Sequence, residues 1–337
     1  MFRLVSALER AGHSCILYLK NDHGLSLAHH ERTIRSWWPW VDAEVRDLAG
    51  GIDDAHAVFA TSWDTAYPVL ASPARGVRFY LVQDFEPGFY PAGTEALMAE
   101  ATYRFGFHGI TAGSWLAQRL RRDYGMSADS FEFGSDAVYA LDRAVPPADR
   151  TGICAYARPD HPRRAYELVS LTLETLAERH PELDIHVFGR PVGRVPFSVT
   201  DHGLCTPEEL NRLYNRCIAG LVLSATNVSL VPHEMLAAGC TPVVNDSEQN
   251  REVLDNEEVA YAPATPFELA AAISRLIERP LVERTARARA GAASVRETSW
   301  EDAGASVERV VRDVVVAASA PQSAVPGLRE AQVAAAP

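Results

Sequence analysis

At 337 residues the chain is longer than one hydrophobic core usually serves, so two domains of roughly 150 residues each are expected. Hydrophobic residues at 47% and charged residues at 23% are ordinary globular values, and 44 acidic against 32 basic side chains give a net charge of −12. That balance argues against a protein that neutralises a phosphate backbone, so nucleic acid is not an expected partner.

No run of about 18 apolar residues and no basic-apolar-small leader pattern occurs, which points to a cytoplasmic protein. The cysteines, Cys15, Cys154, Cys205, Cys217 and Cys240, are scattered beside apolar runs without a Cys-x-x-Cys pair, and read as small buried hydrophobes.

In chain order, "FRLVSALERAG" has helical spacing and stops at Gly12, a position suited to a left-handed cap. Strand-like runs follow in "SCILYLK", "AVFAT", "VRFYLVQD", "HGITAG" and "SFEFG", separated by helical segments at 93–105 and 114–124. The periodicity lapses near Leu141 in "LDRAVPPADRTG", a connection between domains. Strands "ICAYA", "DIHVFG", "AGLVLS" and "TPVVND" then alternate with helical stretches at 164–179, 207–214, 230–238 and 266–278. Residues 299–315 read as a closing helix capped by Ser299, and the rest as a disordered tail.

Short apolar strands interleaved with helices imply two α/β, Rossmann-like doubly wound domains, over 1–145 and 146–317, with a tail at 318–337. The chain opens inside a helix, whereas such a domain normally opens on a central strand, so the first strand of the N-terminal domain is expected to be missing.

Gly-x-Gly-x-x-Gly, the P-loop signature and Asp-x-Asp are all absent, and the histidines, including adjacent His29 and His30, lack zinc spacing. No metal and no cofactor is expected. The informative stretch is "LVLSATNVSLVPHEMLAAGCTPVVND", 221–246. A strand ending at Ser224 delivers the loop "ATNVS", with Thr226, Asn227 and Ser229, to the carboxyl edge of a sheet. A helix from Leu230 would turn its free N–H groups toward a phosphate, with Glu234 one turn in and suited to ribose hydroxyls. A plainer reading makes Glu234 a solvated helix residue and Ser229 a simple cap.

These residues carry a resemblance. "VSLVPHEMLAAGCTPVVND" and the longer "FYLVQDFEPGFYPAGTEALMAEATYRFGFHGITAGSWLAQRLRRDYG" resemble WsaF-like rhamnosyltransferases, within the retaining GT-B superfamily of glycosyltransferases related to family 4. The resemblance implies a GT-B fold, two Rossmann-like domains facing a central cleft, and metal-independent transfer of a sugar, rhamnose from dTDP-rhamnose, in surface polysaccharide biosynthesis. It gives Glu234 the role of the second of two glutamates, on the ribose, and puts Thr226 where the first would contact the sugar.

"YARPDHPRRAYEL" follows the first strand of the second domain and groups Arg158, Arg163 and Arg164, whose guanidinium forks suit an oxyanion. Similar enzymes use basic side chains of this segment against the donor diphosphate, and Arg158 is the first choice for that catalytic role. The alternative places Arg163 and Arg164 on an exposed helix start. Across the cleft, "YLVQDFEPGFYP" offers Gln83, Glu86, Phe89 and Tyr90 as an acceptor-sugar surface and Asp84 as the group that orients or deprotonates the acceptor hydroxyl. There the alternative is a turn cap and core aromatics.

"HHERTIRSWWPW" suggests a peripheral contact with the inner face of the membrane, or a lipid-linked glycan acceptor, beside the alternative of core packing. The expected partners are a nucleotide-sugar donor and a glycan acceptor. Two rivals are an inactive sugar-binding homologue, which releases no nucleotide, and a nucleotide-sugar epimerase, which converts donor without acceptor.

Overall fold

The computed structural model describes residues 1–20, 24–134, 136–295 and 299–320. The first lobe carries a parallel pair, β1 (Ile16–Leu19) and β2 (Glu44–Asp47), and a four-stranded parallel sheet. That sheet holds β3 (Ala57–Ala60), β4 (Val77–Val82), β5 (His108–Ala112) and β6 (Ala128–Phe131) in sequential order. The second lobe holds β7 (Gly152–Ala157), β8 (Ile185–Gly189), β9 (Thr200–Asp201), β10 (Cys217–Leu221), β11 (Thr241–Asn245) and β12 (Ala260–Ala262). They form one parallel sheet in the order β12-β11-β10-β7-β8-β9.

Burial on both faces explains the composition of these strands. Every residue of β10 is buried, and so are four of the six in β4 and five of the six in β7. In the second lobe the chain winds one way from β7 through β8 to β9, then crosses back and winds the other way from β10 to β12. The order reverses between β7 and β10, so the loops leaving those two strands diverge above a crevice at the carboxyl edge.

The helix Phe2–Arg10 ends as expected before Gly12, at φ 91, and Gly239, at φ 75, ends the helix Val231–Ala237. Three departures from the sequence reading have physical causes. The charged strand β2 has no apolar alternation to announce it. The strand expected at "SFEFG" lies two residues earlier, because it pairs Ala128–Phe131 with Gly109–Ala112 and has no partner once β5 ends at Ala112.

The closing helix, Trp300–Ser319, does not stay with the second lobe: Ala303, Val307 and Val311 pack on Leu4, Phe79, Leu81 and Ile110 of the first. Their i, i+4, i+8 spacing is the stripe that covers a sheet face. The helix runs through Ser319, two residues into the tail expected at 318–337, and residues 321–337 lie outside the described ones. Cys154, Cys217 and Cys240 are buried as expected, whereas Cys15 and Cys205 are partly exposed.

Candidate active site

Two loops of the second lobe meet at the reversal point. After β7 a short 3-10 turn, Pro162–Arg164, ends at Ala165, whose φ of 49 is left-handed in a residue with a Cβ. After β10 comes the loop 222–230. The two are joined where Ala225 N donates to Arg163 O at 2.9 Å and Arg164 Nη1 donates to Ser224 Oγ at 2.9 Å. The end of β11 clamps the second loop from beneath: Ser224 N donates to Asn245 Oδ1, and Asn245 Nδ2 returns a bond to Ser224 O, each 2.9 Å.

From the first lobe, the loop after β4 carries Gln83 to Tyr90 into contact with this pair. Asn227 is fully buried, and its Nδ2 donates to Gln83 O at 3.1 Å and to Ala112 O at 3.0 Å. It therefore bridges the carboxyl ends of β4 and β5. Arg163 Nε lies 3.3 Å from Asp84 Oδ2, and its guanidinium stacks 4.3 Å above the Phe89 ring. Between the lobes opens a groove of about 550 Å³ whose lining includes Gln83, Asp84, Glu86, Phe89, Arg163, Arg164, Ser229 and Leu230.

Asp84 is 9% exposed, and burial raises its carboxyl above the usual carboxylate range, opposed by the Thr226 hydroxyl and by Arg164 and Arg163. Glu86 is also buried; it accepts from Trp63 N at 2.6 Å and Tyr80 Oη at 2.9 Å, and burial pushes it up to about 7. With both oxygens satisfied by the protein, Glu86 shapes the loop rather than offering the open acceptor contact expected of it. Tyr90 is likewise engaged, its hydroxyl accepting from Trp63 Nε1 at 3.0 Å. Gln83 is exposed on the groove.

The arginines separate. Arg158, the first choice from sequence, does not line the groove: it grips Asp160 through two bonds of 2.9 and 3.1 Å and touches the Tyr156 hydroxyl at 3.2 Å. The helix begins only at Tyr166, so the chain after β7 makes an extra turn, which leaves Arg158 at its exit and carries Arg163 and Arg164 forward. Arg164, at 8% exposure, is no surface residue.

Ser229 is not a helix cap. The helix starts one residue later than expected, its cap position is Leu230, and with seven residues it has little dipole to offer. Ser229 Oγ, Asn227 Oδ1 and His233 Nδ1 are buried with no hydrogen-bond partner among the described residues. Burial also depresses the His233 ring to about 4, so it stays neutral.

Glu234 is neither solvated nor on the groove lining. It is half-buried, accepting from Tyr214 Oη at 3.5 Å, and desolvation with Asp136 nearby pushes it up to about 7. Asp136 in turn pairs at 2.6 Å with Arg3, which does line the groove. Thr226 is 4% exposed, and its methyl fills the space at Gly88, where an added Cβ would meet Thr226 Cγ2 at 2.7 Å. A glutamate at 226 has no room while the lobes sit this way.

Among the tryptophans of "HHERTIRSWWPW", Trp38 stacks on Phe2 at 4.1 Å, whereas Trp37 and Trp40 are 71% and 48% exposed. Among the described residues no helix is long and apolar enough to cross a membrane.

With this geometry in place, comparison with known proteins is informative. Residues 151–274 match the family model "WsaF, C-terminal domain". The second lobe is thus similar to that family's C-terminal domain. The chain is 34% identical over 266 residues to the O-antigen biosynthesis protein RfbC of Myxococcus xanthus, covering 76% of this chain but only 20% of that protein.

Among solved structures, Anabaena HepE in complex with UDP and glucose superposes with a TM-score of 0.67, at 13% identity, over 93% of this chain and 95% of HepE. A TarM variant of S. aureus, in complex with Fondaparinux, alpha-GlcNAc-glycerol and UDP, gives 0.60 at 9% identity over 77% of this chain and 55% of TarM. The chain thus spans about half of TarM and one fifth of RfbC. The fold is GT-B, as the sequence resemblance implied.

Proposed function

We propose that the chain is a glycosyltransferase of O-antigen or related surface-polysaccharide biosynthesis that holds a nucleotide-sugar donor in the groove between its lobes. The observation that carries this reading is the joining, at the reversal point of the second sheet, of two arginines with a loop whose buried polar atoms lack partners. Each unpaired buried polar group costs about 1–3 kcal/mol, a penalty that a ligand or water in the groove would offset.

In this reading Arg163, Arg164 and Ser229 Oγ face the donor diphosphate, and Arg guanidiniums neutralise the charge that grows as the C1–O bond breaks. Asp84 accepts the proton of the acceptor hydroxyl as its oxygen bonds to C1, and its raised pKa favours that proton. Glu234, which is off the groove lining here, would accept from the ribose hydroxyls only after a shift of the loop 222–230 uncovers it. Phe89 and Gln83 flank the acceptor. No step invokes a metal, and activity that persists in EDTA would support that part of the proposal.

Support for a sugar-nucleotide donor comes from HepE and TarM, whose structures contain UDP. Rhamnose and dTDP are the finer proposal, supported by the resemblance to WsaF-like rhamnosyltransferases; peripheral contact with the inner membrane face through Trp37 and Trp40 is proposed on their exposure. The test is release of nucleoside diphosphate from dTDP-rhamnose, UDP-sugars and GDP-sugars by the purified chain, with and without glycan acceptor. Release from none of them would sink the proposal in favour of a sugar-binding homologue, and conversion of donor to an epimer would replace it.

A further inference from the structure

A second cavity, of about 500 Å³, lies at the opposite edge of the second sheet. Its lining includes Ile218 near the start of β10, Thr241 at the start of β11, and Arg150 two residues before β7. All three mark the amino edge, one strand length, roughly 17 Å, from the reversal-point groove. The connection between the lobes and the helix Leu281–Ser294 close its sides.

Its charge is unlike the rest of this acidic chain. Six arginines, Arg143, Arg150, Arg279, Arg284, Arg287 and Arg289, line it with one carboxylate, Asp142. Arg279 reaches Glu283 at 3.7 Å and Arg287 reaches Glu258 at 3.5 Å. Among the described residues, the other four arginines have no carboxylate within 4.0 Å.

Arg150 is the telling one. It is 7% exposed; its Nη2 donates to Asn215 Oδ1 at 2.6 Å and to Ala238 O at 3.0 Å, while its Nη1 is buried with no hydrogen-bond partner among the described residues. Among the described residues Arg284 Nε and Arg287 Nε are also buried without a hydrogen-bond partner. A guanidinium set among like charges, with donors unmet, is stabilised by an anion that accepts several N–H bonds at once. Burial lowers the Arg150 pKa, as a buried charge without its counterion requires.

We propose that this cavity binds a small phosphorylated anion, held by Arg150 at its floor and by Arg284 and Arg289 at its mouth. Phosphate geometry suits converging forks, and the volume suits a small molecule. Leu141, Val145 and Ile218 offer an apolar wall for the organic part of such a ligand. The site is separate from the donor groove and stands whether or not the groove binds a sugar nucleotide.

The test is calorimetric titration with inorganic pyrophosphate at constant ionic strength in potassium chloride, with potassium acetate as the monoanion control. We expect saturable binding of pyrophosphate and none of acetate, with one binding component weakened roughly tenfold or more in Arg284→Ala/Arg289→Ala and still present in Arg163→Ala, which removes only a contact of the groove. Arg289→Glu alone, at an exposed position, gives the same loss if the double variant does not fold. Absence of saturable binding up to about 5 mM overturns the site. So does binding equal in wild type and in the amino-edge variants, or lost only in Arg163→Ala.

Discussion

Replacing Glu234 by Gln separates what its carboxylate costs the fold from what it gives the ligand. Burial holds Glu234 at about 7 instead of 4.5, so between those pH values the folded chain keeps a proton that the unfolded chain has released. Unfolding stability therefore falls as pH rises through this window. A difference of that size corresponds to up to about 3 kcal/mol at pH 8, from 2.303RT per pH unit.

Gln cannot ionise, and its carbonyl still accepts from the Tyr214 hydroxyl. Its amide adds a donor that needs a partner, which takes back about 1 kcal/mol or more. Glu234→Gln should thus match or fall slightly below wild type at pH 4.5, and exceed it by about 1–2 kcal/mol at pH 8. Urea unfolding followed by tryptophan fluorescence at half-unit pH steps reads this directly. Glu86, also at about 7, tilts both curves alike and cancels in the difference. A constant difference between the two proteins across the range would refute the linkage argument, and unchanged nucleoside diphosphate affinity would remove Glu234 from the ribose.

Further outcomes follow from the same geometry. Arg163→Ala should lower turnover by roughly a hundredfold or more, whereas Arg158→Ala, freed from Asp160 outside the groove, should change it less than about threefold; initial rates of diphosphate release compare them. Asp84→Asn should abolish transfer while leaving donor affinity within about threefold, by single-turnover assay and calorimetry. Gly88→Ala should destabilise by about 1–3 kcal/mol, because its Cβ meets Thr226 Cγ2 at 2.7 Å, and Thr226→Ser in the same chain should recover part of that loss in urea unfolding.

Much of the fold was legible because buried parallel strands are written as apolar runs: β4, β7, β10 and β11 are each recognisable on that ground alone. The helix Ser114–Tyr124 is legible to the residue through its apolar spacing and its left-handed Gly125. What stayed hidden depends on long-range contact. Nothing local in "EVRD" announces β2, and nothing local in the closing helix says which lobe it covers.

The site follows the same division. The loops were placed at the right sheet edges, because strand ends fix where they emerge. Which arginine enters the groove was not readable, since that turns on the extra 3-10 turn and the left-handed Ala165. Asn227 was read as a donor contact, yet its amide ties the two lobes together. Its buried position is a property of the assembled pair.

The most direct measurement is a crystal structure with a nucleoside diphosphate, chosen as the base that most raises the melting temperature. The expectation is that its phosphates lie within hydrogen-bond distance of the Arg163 or Arg164 guanidinium and Ser229 Oγ, between the lobes. A diphosphate bound elsewhere, with that groove holding only solvent, would contradict it.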